Sequence, residues 1–137
     1  MTVKFDMETI RVMTIFENLT GAKVKDCVVS ENSAYIVVEK GMLGIAIGKN
    51  GSSVRRVEKA LNKTIKLFEF SDDLKTFVKN LIPNSNSVNV RETGGRKTVE
   101  VRVSNAEKPI VIGREGKNLK ILKELVKRSH EAELIIR

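Results

Sequence analysis

The sequence Ile-Ala-Ile-Gly-Lys-Asn-Gly occupies residues 45–51, and the related sequence Ile-Val-Ile-Gly-Arg-Glu-Gly occupies residues 110–116. Each places a Gly-x-x-Gly turn between two apolar segments that have helical spacing. Glycine has no Cβ, so a turn bracketed by two glycines lets the backbone pass close to another chain. With a cation between the glycines, such a turn is typical of a loop that lies against nucleic-acid phosphates.

The similarity between the two halves of the chain extends beyond these turns. A shift of 65 residues also pairs apolar positions, namely Ile36 with Val101, Val38 with Val103, Val54 with Leu119, Val57 with Leu122 and Leu61 with Val126. Self-similarity at a fixed offset indicates a duplicated unit, and this offset suits a small domain. The sequence therefore predicts two domains of one kind, at residues 1–70 and 71–137. Only three polar residues follow Phe70 before the next apolar position, so a fixed relative orientation is expected.

The apolar periodicity predicts the same order of elements in both halves: helix, strand, strand, short helix, Gly-x-x-Gly turn, helix and strand. In the first half, Asp6 is expected to cap a helix that ends at Gly21. In the second half, Ser71 is expected to cap the first helix, and Gly94-Gly95 to form a tight hairpin between two strands. The predicted fold class is α+β, with two α/β sandwiches that each have a three-stranded sheet covered by helices on one face.

Composition limits the possible classes of function. The 137 residues carry 25 Lys+Arg against 17 Asp+Glu, and the net charge of +8 favours a polyanionic partner. A solvated, soluble surface explains the same charge equally well. Cys27 is the only cysteine, so a buried thiol is expected, without an intrachain disulfide or a multi-cysteine metal site. No apolar run approaches the ~20 residues that span a bilayer, and a cytoplasmic protein without membrane contact is expected.

The chemistry of the turns singles out candidate binding residues. Lys49 supplies a cation to the first turn, and the start of the next helix supplies the positive end of its dipole. In the second turn Glu115 replaces Asn50, and a carboxylate repels phosphate unless it points away or pairs with a cation. The second turn is therefore expected to bind more weakly or to be architectural. The predicted nucleic-acid contacts are Ile45, Ile47, Gly48, Lys49, Asn50, Gly51 and Arg55, and in the second half Ile110, Ile112, Gly113, Arg114, Glu115, Gly116, Lys117 and Lys120.

The helices that follow the turns are both basic. Cations are predicted to face outward at Arg55, Arg56, Lys59 and Lys63, and at Lys117, Lys120, Lys123 and Lys127. Phosphate contact and ordinary solubility both explain such residues. Arg55 and Lys120 lie one helical turn from the glycines, so these two are expected to reach a phosphate.

The two turns, each preceded by Ile-x-Ile and followed by a basic amphipathic helix, resemble the GxxG loops of K-homology (KH) domains. The helix and strand before them resemble the type II arrangement, and the tandem is similar to the archaeal NusA-like transcription termination and antitermination factors. The resemblance covers essentially the whole chain. It implies binding of single-stranded RNA, about four nucleotides per unit. A monomer without a cofactor or catalytic residues is expected, and RNA polymerase or other transcription factors are further expected partners.

Two other interpretations stay open. A nucleotide-binding enzyme also uses glycine-rich loops, but a Walker loop needs Gly where this chain has Leu43 and Ser or Thr where it has Asn50. The single histidine, His130, has no evident partner and is interpreted as a surface residue. A KH protein associated with ribosomes or RNA processing shares fold and ligand with a transcription factor, and the sequence does not separate the two.

Overall fold

The computed structural model describes residues 6–137, so residues 1–5 of the first predicted domain lie outside the described part. The chain divides into two compact units, and the boundary falls between Phe70 and Ser71. Both units have the same order of elements, and each contains one three-stranded sheet. The predicted α+β class, with a three-stranded sheet packed against helices in each unit, is confirmed.

The first unit contains α1 (Met7–Thr20), β1 (Val24–Val29), β2 (Ser33–Val38), α2 (Leu43–Ile47), α3 (Ser52–Leu61) and β3 (Thr64–Glu69). The second contains α4 (Leu74–Leu81), β4 (Ser87–Thr93), β5 (Arg96–Arg102), α5 (Lys108–Ile112), α6 (Lys117–His130) and β6 (Ala132–Ile136). In each sheet the middle strand pairs antiparallel with the strand before it and parallel with the last strand. A parallel pair needs a crossover, and the two helices on either side of the glycine turn supply it.

The core of the first unit lies between its helices and one face of its sheet. Alternate residues of β2 point into this core, at Ala34, Ile36 and Val38. The helices cover them with Val12, Phe16, Ala46 and Val57. In the second unit the positions that match Ile36 and Val57 are Val101 and Leu122, and both are buried. The apolar pairs that revealed the duplication in the sequence are thus core positions in both units.

The helix after the turn is longer in the second unit, with 14 residues in α6 against 10 in α3. Sheet register matches Thr64 of β3 with Glu133 of β6, so the offset of 65 grows to 69 after these helices. The added turn ends at His130, whose Nε2 lies 2.9 Å from the Ser71 carbonyl oxygen. The His130 ring also packs on Phe77, with the ring centroids 5.3 Å apart. The prediction of a surface histidine without a partner is therefore wrong.

The predicted N-cap of α4 is also wrong. Asp73, not Ser71, caps this helix, because its Oδ2 accepts hydrogen bonds from the Thr76 backbone N–H at 3.0 Å and from the Thr76 hydroxyl at 2.6 Å. Ser71 Oγ instead accepts from the Asp73 N–H at 3.2 Å. Thr76 is the third residue after Asp73, the position that an N-cap side chain reaches, whereas Ser71 lies five residues before Thr76. The bonds from the Thr76 hydroxyl and backbone N–H lower the pKa of Asp73.

We expect Asp73→Asn to make the second unit less sensitive to acid. Because the pKa of Asp73 is lowered in the folded protein, its charge stabilises the fold above the unfolded value of about 3.9. That contribution is lost as the pH falls through the folded pKa. The melting temperature, followed by circular dichroism from about pH 6 to about pH 3, should therefore fall less steeply in the variant. Asp72→Asn removes the adjacent exposed carboxylate and is the control; the same change of slope in both variants would contradict the capping role.

Candidate nucleic-acid interface

The two Gly-x-x-Gly turns share one backbone geometry. After α2 ends, the Gly48 N–H donates to the Gly44 carbonyl at 2.9 Å, and the Gly51 N–H donates to the Gly48 carbonyl at 3.1 Å. Gly113 and Gly116 make the corresponding bonds in the second unit, at 2.9 and 3.2 Å. Each segment is one 3-10 turn that leads directly into α3 or α6. Both turns are therefore tight and held by main-chain bonds.

The first glycine of each turn cannot carry a side chain. Gly48 has φ 76° and ψ 173°, and Gly113 has φ 77° and ψ 176°, a region that essentially only glycine occupies. The next helix also folds back on this glycine. A Cβ on Gly48 would lie 2.8 Å from Ser53 N, and a Cβ on Gly113 would lie 2.6 Å from the Asn118 Cβ. Sequence reasoning did not single out Ser53 and Asn118, although their 65-residue spacing marks them as matching positions.

The two middle residues give the turns different charges. Lys49 and Arg114 are exposed cations at the first middle position. At the second, Asn50 and Glu115 both have left-handed backbone, with φ 56° and 57°, which asparagine tolerates better than glutamate. Within residues 6–137, Glu115 forms no ion pair with Arg114 or Lys117. Pairing with a cation therefore does not offset the negative charge of Glu115 in the second turn.

Apolar side chains stand exposed immediately before each turn. Ile45 is 51% exposed, Ile47 39% and Ile110 68%, whereas Ile112 is half-buried. Val54, at the start of α3, packs against the core of the first unit. Each unit therefore has exposed isoleucine beside a cationic turn.

The basic residues of α3 and its C-terminal end fall into two groups. Arg55 is exposed, and its Nη1 lies 3.3 Å from the point where a Cβ on Gly51 would stand, so its guanidinium lies beside the turn. Lys63 instead donates to the Ser30 carbonyl at 2.9 Å and to the Glu31 carbonyl at 2.8 Å. Lys63 thus holds the β1–β2 connection, and the prediction that it faces outward is wrong.

The predicted contacts fall on one segment in each unit, made of the short helix, the turn and the start of the next helix. In the second unit the segment ends with Lys117 and Lys120, which are both exposed in α6. Gly51 and Gly116 occupy the N-cap positions of α3 and α6, and no side chain caps either helix. The first amides of a helix lack intrahelical acceptors and lie at the positive end of its dipole. Both helix starts therefore favour an anion beside the turn.

Three findings concern other kinds of site. Cys27 is buried in the core of the first unit, as predicted. Among the side chains of residues 6–137, no three His, Cys, Asp or Glu residues are grouped so as to hold a metal ion. In that same part of the chain, no helix has both the length and the apolar character that crossing a membrane requires.

We expect Gly48→Ala to destabilise the first unit more than Gly51→Ala. Both variants place a Cβ at positive φ, which costs about 1–2 kcal/mol. At Gly48 the new Cβ would lie against backbone, which cannot easily move. At Gly51 it would meet the Arg55 guanidinium, which can move away. Gly113→Ala should likewise cost more than Gly116→Ala, whose Cβ would meet nothing within 4 Å. Urea unfolding measures the four losses; equal losses at first and second glycines would argue against the close approach of the helix.

Related proteins share the sequence and the fold of this chain. The KH domain profile matches residues 11–80, and the KhpA/KhpB KH domain profile matches residues 71–133. The probable transcription termination protein NusA of Methanococcus vannielii is 36% identical over 121 residues, which are 87% of this chain and 70% of that protein. The protein of the same name from Halococcus morrhuae is 30% identical, and the alignment covers 97% of this chain and 96% of that protein.

A solved structure is also similar to this chain in fold. The crystal structure of APE1850 has a TM-score of 0.75 and 36% identity, and the match covers 97% of this chain and 100% of that one. The NusA protein of Thermoplasma acidophilum, 31% identical, aligns with 92% of this chain and 89% of its own length. The chain therefore belongs to the KH domain family and, within it, to the tandem-KH proteins that bear the name NusA in archaea.

Proposed function

We propose that this protein binds single-stranded RNA at its two Gly-x-x-Gly turns and acts in transcription termination and antitermination. One observation carries the proposal: both units have the same glycine turn, with an exposed cation inside it and exposed isoleucine before it. The name of the archaeal relatives, probable transcription termination protein NusA, supports the transcriptional setting. In this proposal the protein works as a monomer, contacts RNA polymerase or other transcription factors, and catalyses no reaction.

The sugar-phosphate chain of the RNA lies against the turn. Gly51 has no Cβ, and the nearest atoms to the point where one would stand belong to side chains, so the RNA backbone approaches the main chain closely there. Lys49 within the turn and Arg55 beside Gly51 supply cations, and the start of α3 adds the positive end of its dipole. Contacts of this kind fix the position of the strand but do not read its sequence.

The bases of the bound nucleotides turn toward the isoleucines. Ile45 and Ile47 lie immediately before the first turn, and Ile110 and Ile112 lie immediately before the second. The bases therefore meet aliphatic surface. Stacking on aromatic rings contributes about 1–3 kcal/mol per base, and aliphatic packing lacks the ring overlap that provides it. Each unit alone therefore binds weakly, and selects bases by shape and by hydrogen bonds to their edges.

Strong binding comes from using both units on one strand. Residues 70–73 alone connect β3 to α4, so binding at one turn keeps the second turn near the same RNA. Linked sites of this kind exceed the affinity of either site by about 10²–10⁴ when the strand reaches both. We infer that a continuous single strand engages the two turns together, with the first turn as the stronger site because of Glu115.

We expect Lys49→Asp with Asn50→Asp to weaken RNA binding about tenfold or more, because the pair reverses the charge that faces the phosphates. Aspartate is tolerated in left-handed backbone, so the turn should keep its geometry. Fluorescence anisotropy with random-sequence RNA of about 20 nucleotides, at about 50 and 200 mM salt, measures the loss. Arg11→Asp with Thr14→Asp, at exposed positions of α1, makes the same change in charge and is the control. Unaltered binding in the turn variant would contradict RNA binding at this turn, and so would an equal loss in the control.

Exchanging the second middle residues should shift binding in opposite directions. Asn50→Glu gives the first turn the charge of the second and should weaken binding, whereas Glu115→Asn removes a carboxylate and should strengthen it. Glu115→Asn should also raise the melting temperature of the second unit, because asparagine suits the left-handed backbone better. The same anisotropy assay and a thermal melt test both effects. Binding that ignores both exchanges would show that this position does not face phosphate.

The transcriptional setting has its own test. Affinity capture of the tagged protein from cells should recover RNA polymerase subunits and nascent transcripts. Recovery of ribosomes without polymerase would instead favour the ribosome-associated or RNA-processing alternative, which shares the ligand but not the biological role.

A further inference from the structure

Four lysines form a row along the exposed face of α6. They are Lys117, Lys120, Lys123 and Lys127, and each is exposed. Spacings of three, three and four residues keep side chains on one face of a helix. The opposite face is buried through Leu122, Leu125 and Val126. This lysine row therefore points away from the core of the second unit.

The lysine row keeps its positive charge. Within the described range, residues 6–137, none of its four members forms an ion pair. Glu124 lies on the same helix face, one turn from Lys120 and one turn from Lys127, but it is paired with Arg128 at 2.7 Å. From residue 117 to residue 127 the row spans about 15 Å. Helix positions three or four residues apart have Cβ atoms about 5–6 Å apart, which is less than the Debye length of ~8 Å at physiological salt. Their potentials therefore add into one positive stripe.

The first unit provides an internal comparison, because it has the same fold without the row. The positions that match it, 65 residues earlier, hold Ser52, Arg55, Glu58 and Asn62. Glu58 has a structural role, since its Oε2 accepts a hydrogen bond from the Ile65 N–H at 2.9 Å. Lys127 lies in the added turn of α6, which α3 lacks. The lysine row is thus specific to the second unit and is not a requirement of the fold.

We propose that the lysine row binds phosphates of the RNA that continues beyond the nucleotides at the second turn. The inference rests on the proposed function and extends it along α6. Lys117 directly follows Gly116, so a strand that leaves the turn meets the row without a gap. The row also offsets the repulsion from Glu115, because its cations attract the same strand a few ångströms away. These contacts recognise the phosphate chain and not the base sequence.

The test removes the distal half of the row and leaves the residues at the turn in place. Lys123→Gln with Lys127→Gln is compared with Lys75→Gln with Lys79→Gln, a control on α4 with the same spacing, the same change in charge and the same exposure. Each lysine that contacts a phosphate of a single strand contributes about 0.7 to the slope of log affinity against log salt. For random-sequence RNA of about 20 nucleotides, we expect the slope to fall by about 1.4.

Length dependence separates the row from the turn. An RNA of about 6 nucleotides fills little more than one KH site of about four, so its binding should be the same in the Lys123→Gln, Lys127→Gln variant and the unmodified protein. Affinity for the longer RNA should fall several-fold at about 50 mM salt. The α4 control should match the unmodified protein with both RNAs.

Each remaining outcome decides against a stated part of the proposal. An unchanged slope with the long RNA, while Lys49→Asp with Asn50→Asp still weakens binding, would overturn the lysine row and leave the proposed function standing. An equal loss in the α4 control would also overturn the row, because net charge alone would explain it. Loss of binding to polyglutamate with an unchanged RNA slope would assign the row to an acidic protein and overturn its role in RNA binding. If neither turn nor row variants alter RNA binding, the proposed function itself fails.

Discussion

The close approach of a helix to a glycine is the constraint on which the geometry of both turns depends. At Gly48 and Gly113 the chain adopts a backbone conformation reserved for glycine, and the residue five positions later, Ser53 or Asn118, packs where a Cβ would be. In the second unit, Asn118 Nδ2 also donates to the Val111 carbonyl at 2.7 Å and so joins α6 to α5. Because α3 and α6 are anchored in the cores, the position of each turn follows from core packing. The surface that meets RNA in our proposal is therefore fixed before RNA arrives.

Duplication has kept this constraint while the solvent-facing chemistry has diverged. Core positions remain apolar in both units, as Ile36 and Val101 show. The exposed positions differ in charge: Asn50 corresponds to Glu115, and the matching faces of α3 and α6 carry different numbers of lysines. An exposed charge costs the fold little, so such positions are free to change with the ligand. In our proposal the first turn mainly positions the RNA, and the long basic helix α6 mainly supplies electrostatic attraction.

The elements of this fold were predictable from the sequence because local patterns determine them. The order of helices and strands predicted for each half is the observed order. Gly21 ends α1 in left-handed backbone, as expected. The errors concern polar side chains whose partners are set by three-dimensional structure. Lys63 reaches back more than 30 residues to the β1–β2 connection, and His130 reaches α4 only because α6 has an added turn. At the start of α4, the cap is Asp73, two residues after the predicted Ser71. The exposure of the isoleucines at the turns was not predictable from the sequence either, because isoleucines at the same spacing also occur in buried helices.

In the proposed function, the chemistry of the two turns also determines how readily RNA dissociates and rebinds. Contacts to phosphate weaken with salt and do not distinguish sequences, while Ile45 and Ile110 beside the turns offer the bases no aromatic stacking. In the proposed function each turn therefore releases its nucleotides readily, since differences in affinity lie mostly in the dissociation rate. When two such sites share one strand, release at one leaves the other bound, and the strand rebinds from a high local concentration. In the proposed function, the protein holds a moving transcript through rapid local exchange, and complete release requires both units to let go within the same short interval.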